Sequence, residues 1–159
     1  MGIAYIALGS NLGDRQAHLR SALAHLDDTP GTRLTAVSDF LATDPEHCPA
    51  GSPAFLNAVA RLQTSLSPRE LLTRCLEIEA HLGRRRDPAH RNAPRTLDLD
   101  LLLYDEVILD EPGLVLPHPR LHERHFVLAP LAELAPHLVH PTLRRPIRLL
   151  LHDLDVSVR

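Results

Sequence analysis

The chain has 159 residues, 44% of them hydrophobic but only 3% aromatic, and a formal net charge of −3 at neutral pH. That length suits a single domain over 1–159 with an aliphatic core, and the acidic balance argues against a general nucleic-acid binder. All 17 basic residues are Arg, which excludes a phosphate-loop lysine, a Schiff-base lysine and a pyridoxal phosphate anchor.

In chain order, residues 3–8 (IAYIAL) read as a buried first strand, and Gly9-Ser10-Asn11 with Gly13 supply a turn. Residues 14–27 follow as a helix, with Leu19, Ala22, Leu23 and Leu26 at helical spacing. Residues 32–42 read as a second strand. The Pro-rich stretch 43–54 reads as a long loop, of a length that is usually functional or disordered. Residues 55–64 alternate as a strand, with Phe55, Asn57, Val59, Arg61 and Gln63 on one face. Ser67, Pro68 and Glu70 then open a helix that carries Leu71, Leu72, Cys75, Leu76, Ile78, Glu79 and Leu82 to Gly83.

Residues 84–96 form a second long loop with five Arg and two Pro, and 97–104 (LDLDLLLY) are a strand. The spacing predicts a short hairpin across Asp105-Glu106, with Val107 to Leu109 as its second arm. Pro117-His118-Pro119 marks a turn, and one or two short helices follow over 120–135. The order β-α-β-β-α-β over 3–104 predicts an α+β, ferredoxin-like fold. Its four-stranded antiparallel sheet would carry helices on one face, with the C-terminal additions at an edge. Cys48 and Cys75 read as free thiols, and no apolar run approaches the ~20 residues of a membrane span. A soluble, cytoplasmic protein is the expectation.

Asp98-Leu99-Asp100 is the sharpest local signal. Strand geometry turns both carboxylates to one side, roughly 6–7 Å apart along the chain, and sends Leu97, Leu99 and Leu101 into the core. Hard divalent cations take such oxygen donors, and Mg²⁺ commonly bridges one or two carboxylates and substrate phosphates. An amphipathic strand with solvated Asp is the alternative. Arg84, Arg85, Arg86, Arg91 and Arg95 lie just upstream, and Arg forks suit phosphate oxygens. Glu77 and Glu79 are the carboxylates available to a merely solvated arginine loop. His118, His122 and His125 have a zinc-like spacing, but Pro117 and Pro119 argue against the continuous helix it needs. Phe55 and Phe126 read either as core residues or as rings around a flat heterocycle, with Asn57 reading its edge.

Taken together, RNAPRTLDLDLL at 91–102, AYIALGSN at 4–11, FLNA at 55–58, GRRR at 83–86 and LPHPRLHERHFVLAPLAE at 116–133 resemble the 6-hydroxymethyl-7,8-dihydropterin pyrophosphokinase family. The resemblance spans nearly the whole chain. It implies transfer of pyrophosphate from ATP to a hydroxymethyl dihydropterin in folate biosynthesis, with two Mg²⁺ ions on Asp98 and Asp100. It puts Arg84, Arg86, Arg95, His118 and Arg124 on the ATP phosphates, Leu101 near the adenine, and Thr43, Phe55, Asn57 and Phe126 on the pterin. Arg84 and Arg95 would also offset charge during transfer, and the stretches 9–14, 43–54 and 84–94 would fold over the substrates. Asn92, Leu76 and Pro119 depart from the residues common at those positions. The implied partners are small molecules acting on a monomer, without nucleic acid or membrane. An RNA-binding sheet and a nucleotide-sensing domain without chemistry are the competing classes; the strands carry few of the aromatic rings that RNA-binding sheets present.

Overall fold

A computed structural model describes residues 1–11, 13–43, 54–82 and 97–157. The elements in chain order are β1 (Gly2–Ser10), α1 (Arg15–Asp27), β2 (Thr32–Val37), β3 (Leu41–Thr43), β4 (Phe55–Thr64), α2 (Pro68–His81), β5 (Asp98–Tyr104), β6 (Leu109–Glu111), β7 (Leu114–Leu116), α3 (His125–Leu134) and α4 (Ile147–Ser157), with a 3-10 turn at Leu121–Glu123. The main sheet runs β2-β4-β1-β5, and every pairing in it is antiparallel. β3 continues the β2 edge and pairs the other half of β4, Leu41 opposite Asn57 and Thr43 opposite Phe55. The stretch expected as one strand over 32–42 is thus one edge broken at 38–40. This is the expected ferredoxin-like βαββαβ core.

Both core helices start where side chains satisfy the free N–H groups of the first turn. The Asp14 carboxylate accepts from the Ala17 N–H at the head of α1. Ser67 and Glu70 form a reciprocal capping box at the head of α2, with Pro68 in its first turn. α1 buries Leu19, Ala22, Leu23 and Leu26, the four positions its periodicity predicts. α2 buries Leu71, Cys75, Ile78 and Glu79. Leu76, expected to help carry that face, is instead 49% exposed, because at 100° per residue it falls outside the stripe that Leu71, Cys75 and Ile78 define. These helices cover Ala4, Ile6 and Leu8 of β1, Ala58, Ala60 and Leu62 of β4, and Leu99 and Leu101 of β5. Burying each of these Leu or Ile side chains contributes roughly 2 kcal/mol.

The C-terminal residues do not sit at an edge as expected. α3 and α4 pack across the opposite face, where Tyr5, Val59, Leu102 and Leu103 meet Val127, Leu128, Leu131, Ile147 and Leu150. The reason lies in β5. The register with β1 slips between Tyr5 and Ile6, opposite Leu101 to Leu103, so Leu102 and Leu103 both join the second cluster. A sheet apolar on both faces needs two helical layers. The hairpin also differs from expectation. It pairs β6 with β7 across Pro112-Gly113, Leu109 opposite Leu116, with Gly113 at φ +77°. Pro followed by a glycine of positive φ is the preferred content of a tight turn. The 105–107 segment instead ties the end of β5 to β1: the Asp105 N–H donates to the Ile3 carbonyl, its carboxylate accepts from the Ile3 N–H at 2.8 Å, and the Val107 N–H donates to the Tyr104 carbonyl. No helix among the described residues is long and apolar enough to cross a membrane.

Candidate functional site

The second face of the sheet has two halves. Near Tyr5 it is apolar and covered by α3 and α4. Toward the end of β1 it carries Ala7 and Gly9, flanked by Asp98 and Asp100 on β5 and by Asn57 on β4, since Gly9 lies opposite both Asn57 and Asp98 and Ala7 lies opposite Asp100. A cleft of about 630 Å³ opens there, within the size range of small-molecule sites. Thr43, Phe55, Asn57, Asp98 and Asp100 line one side; Arg120, Arg124, His125, Phe126 and Leu154 line the other.

Each wall is held by local structure. Asn57 is 6% exposed; its amide donates to the Thr43 hydroxyl at 2.8 Å, and its carbonyl oxygen lies beside Gly9. A Cβ on Gly9 would stand 3.1 Å from that oxygen, so glycine keeps the floor open at this point. Arg124 places its guanidinium 5.7 Å from the centre of the Phe126 ring, a cation–π distance. The Arg120–Glu123 pair at 3.7 Å lies on the rim.

Asp98 is half-buried and Asp100 exposed. Their peptide link is anchored from behind, where the buried Glu79 carboxylate of α2 accepts from the Leu99 N–H at 2.7 Å. The Glu79 carboxylate is buried behind the acid pair, and Glu77 pairs with Arg74 at 3.5 Å. The signal for Glu79 was an acid in an apolar register of α2. His118 donates its backbone N–H to the Leu102 carbonyl, and its Nδ1 accepts from the Arg120 N–H at 3.2 Å, which leaves the proton of the neutral ring on Nε2. Burial holds the His118 pKa below its ordinary value, Asp100 pulls against that, and Arg124 and Arg120 add to the lowering.

Of the residues expected at the site, Asp98, Asp100, Thr43, Phe55, Asn57, Phe126 and Arg124 line one cleft, and His118 lies within the field of Asp100. Leu101 does not line it. It is 5% exposed and packs in the α1–α2 core, because strand alternation sends its side chain to the face opposite Asp100. Arg84, Arg86 and Arg95 lie outside the described residues, as do Asn92, Cys48 and most of the two long loops. Cys75 is a free thiol, and burial, with Glu79 and then Asp100 nearby, pushes its pKa up to about 12. The zinc spacing does not assemble. His122 faces His140 edge-on at 6.5 Å, His125 pairs with Asp155 at 3.4 Å, and no group of three potential ligands forms among the described residues. His125 lines the cleft rather than the zinc site its spacing suggested, and nothing in the sequence motifs gave a sign of Leu154.

Residues 5–136 match the model of the 7,8-dihydro-6-hydroxymethylpterin-pyrophosphokinase family. The chain belongs to that family. The chain is 48% identical over 132 residues to 2-amino-4-hydroxy-6-hydroxymethyldihydropteridine pyrophosphokinase of Bacillus subtilis, covering 83% of this chain and 77% of the relative. It is 48% identical over 137 residues to the enzyme of the same name from Pseudomonas aeruginosa, covering 86% and 83%. Among solved structures, wild-type HPPK-DHPS of Plasmodium falciparum with pteroate superposes with a TM-score of 0.75 over 96% of this chain at 14% identity. The pyrophosphokinase fold is shared at that distance, and the present chain spans 44% of that longer protein.

Proposed function

We propose that the protein transfers the pyrophosphoryl group of ATP to the hydroxymethyl oxygen of 6-hydroxymethyl-7,8-dihydropterin, giving the pterin diphosphate and AMP in folate biosynthesis. The new bond joins the pterin oxygen to the β-phosphorus. The bond from the β-phosphorus to the oxygen bridging it to the α-phosphorus breaks, AMP leaves, and the hydroxyl proton passes to water. The observation that carries this reading is the meeting, in one cleft, of the Asp98–Asp100 pair with Asn57, Thr43, Phe55 and Phe126 across the gap left by Gly9.

The donor set fits Mg²⁺: two carboxylates on one strand face, both lining the cleft. Asp98 and Asp100 would hold two ions, whose charge, when bound, offsets the triphosphate and the developing negative charge on the leaving group. The chain's own residues do the remaining work, and for phosphoryl-type transfer that work is mostly positioning. Asn57 presents its carbonyl oxygen to the pterin edge while Thr43 orients its amide. Phe55 and Phe126 bound the pterin faces. Arg124 and His118 donate to phosphate oxygens, His118 through Nε2. Arg84, Arg86 and Arg95 would join them from their loop, Arg84 and Arg95 opposite the breaking bond. Leu101 would contact the adenine through edge-strand backbone alone, since its side chain is committed to the core. We read 1–159 as one catalytic domain, a monomer acting on small molecules in the cytoplasm, without nucleic acid or membrane.

Incubation with ATP, Mg²⁺ and the hydroxymethyl dihydropterin tests the reading. AMP and pterin diphosphate should form together in equal amounts. ADP, or nucleotide binding without any product, would replace it with an ordinary kinase or a nucleotide sensor.

A further inference from the structure

We propose that Leu154, near the end of α4, is a specificity-determining residue of the cleft, closing the side next to Phe126 and limiting the room for the pterin ring. The inference rests on the pterin reading above. Leu154 lines the same cleft as His125, Phe126 and Val127 and packs with Phe126 against the second core cluster. Two features keep it there. Ile147 and Leu150 anchor α4 in that cluster at 0% and 7% exposure, and the neighbouring Asp155 carboxylate lies 3.4 Å from His125 Nε2. That pair ties the end of α4 to the residue preceding Phe126. The helix lies beyond residue 136, where the family match ends. The outer wall of the cleft is therefore supplied by a part of the chain that the shared family segment does not include. Arg124 on the same wall offers the phosphates a donor, whereas the Leu154 side chain has none and suits a flat heterocycle. Leu154 therefore acts on the pterin and not on ATP.

The test compares Leu154→Trp and Leu154→Ala with the wild type. Val156→Trp, at a 53% exposed site on the same helix, serves as the control for added bulk. Steady-state AMP formation is measured while each substrate is varied. Pterin binding is measured separately, by pterin fluorescence in the presence of a nonhydrolysable ATP analogue, and melting temperatures report folding. Leu154→Trp should raise the pterin KM and Kd by about tenfold or more, and Leu154→Ala by about threefold, both with an ATP KM within about twofold of wild type; Val156→Trp should match the wild type. Unchanged pterin constants in both Leu154 variants, or a shift confined to ATP, overturn the proposal. If Leu154→Trp does not fold, Leu154→Ala decides by the same criterion. Failure of the underlying reading shows separately, in a wild type that neither forms AMP nor binds pterin, and the proposal falls with it.

Discussion

At the scale of single residues, the cleft depends on what the central strand lacks. Gly9 and Ala7 place almost no side chain between Asn57 on one neighbour and Asp98 and Asp100 on the other, so a ligand reaches the sheet floor with hydrogen-bonding groups on one flank and carboxylates on the other. Asp100 is exposed, so the fold does not depend on its charge. Asp100→Asn keeps the shape and removes one anionic donor. AMP formation should drop by about 10²-fold or more, with the melting temperature within about 2 °C of wild type, as for an exposed site. Activity assay and thermal melt on one preparation check both halves. Near-normal turnover would detach the acid pair from the chemistry.

Elements are set by short local signals, and these were the most readable part of the sequence. The Ser67–Glu70 box starts α2, and the hydrogen bond from the Ser67 backbone N–H holds the Glu70 carboxyl below its ordinary pKa. Ser67→Ala should cost about 1 kcal/mol and lower the melting temperature by about 2–4 °C. AMP formation should not change, because this cap lies outside the cleft. A second element-scale device was not readable. The buried His140 accepts from the Thr142 and Leu143 N–H groups through Nδ1, closing the turn before α4. Burial first, and then the charge of the neighbouring His122, hold its pKa below the usual value. The folded protein then binds fewer protons than the unfolded chain, so this contribution is complete above the unfolded value near pH 6.5 and is lost as pH falls through the lower folded value. Melting temperature should fall on acidification below about pH 6.5, and His140→Asn, whose amide oxygen can cap the same N–H groups, should flatten that slope. Melts between pH 5 and 8 decide it; equal slopes would acquit His140. Periodicity and caps were enough to read α1, β4 and α2. The phase change within Leu101-Leu102-Leu103 was hidden, because three identical side chains carry no alternation to read. The loop arginines were visible as a motif, but their geometry is not a local property.

For the whole molecule, the consequence is a sheet sandwiched between two layers with different tasks. α1 and α2 complete the core on the far side of the sheet, reaching the cleft only through the Glu79 bond to the Leu99 N–H, whereas α3, with Arg124 at its head, and α4 both finish the second core and supply Arg124, Phe126 and Leu154 to the site. Damage to the two layers should therefore read differently. Ile78 of α2 is 1% exposed and Ile147 of α4 is 0% exposed, so truncating either to Ala should cost about 2–4 kcal/mol and lower the denaturant midpoint to a comparable extent in the two variants. Ile147 is one of the two buried anchors of α4, so truncating its side chain loosens the helix that carries Leu154, even though its backbone N–H bond to the Leu138 carbonyl is kept. Local opening of α4 at a free energy below that of global unfolding should then speed amide exchange across 147–157 and raise the pterin KM about threefold or more, because a partly open wall reduces the binding-competent population. Ile78→Ala, equally destabilised, should keep the wild-type pterin KM while the fold holds. Equal changes in KM from both substitutions would mean that the cleft follows the stability of the molecule as a whole, and the separate role of the α3–α4 layer would be lost.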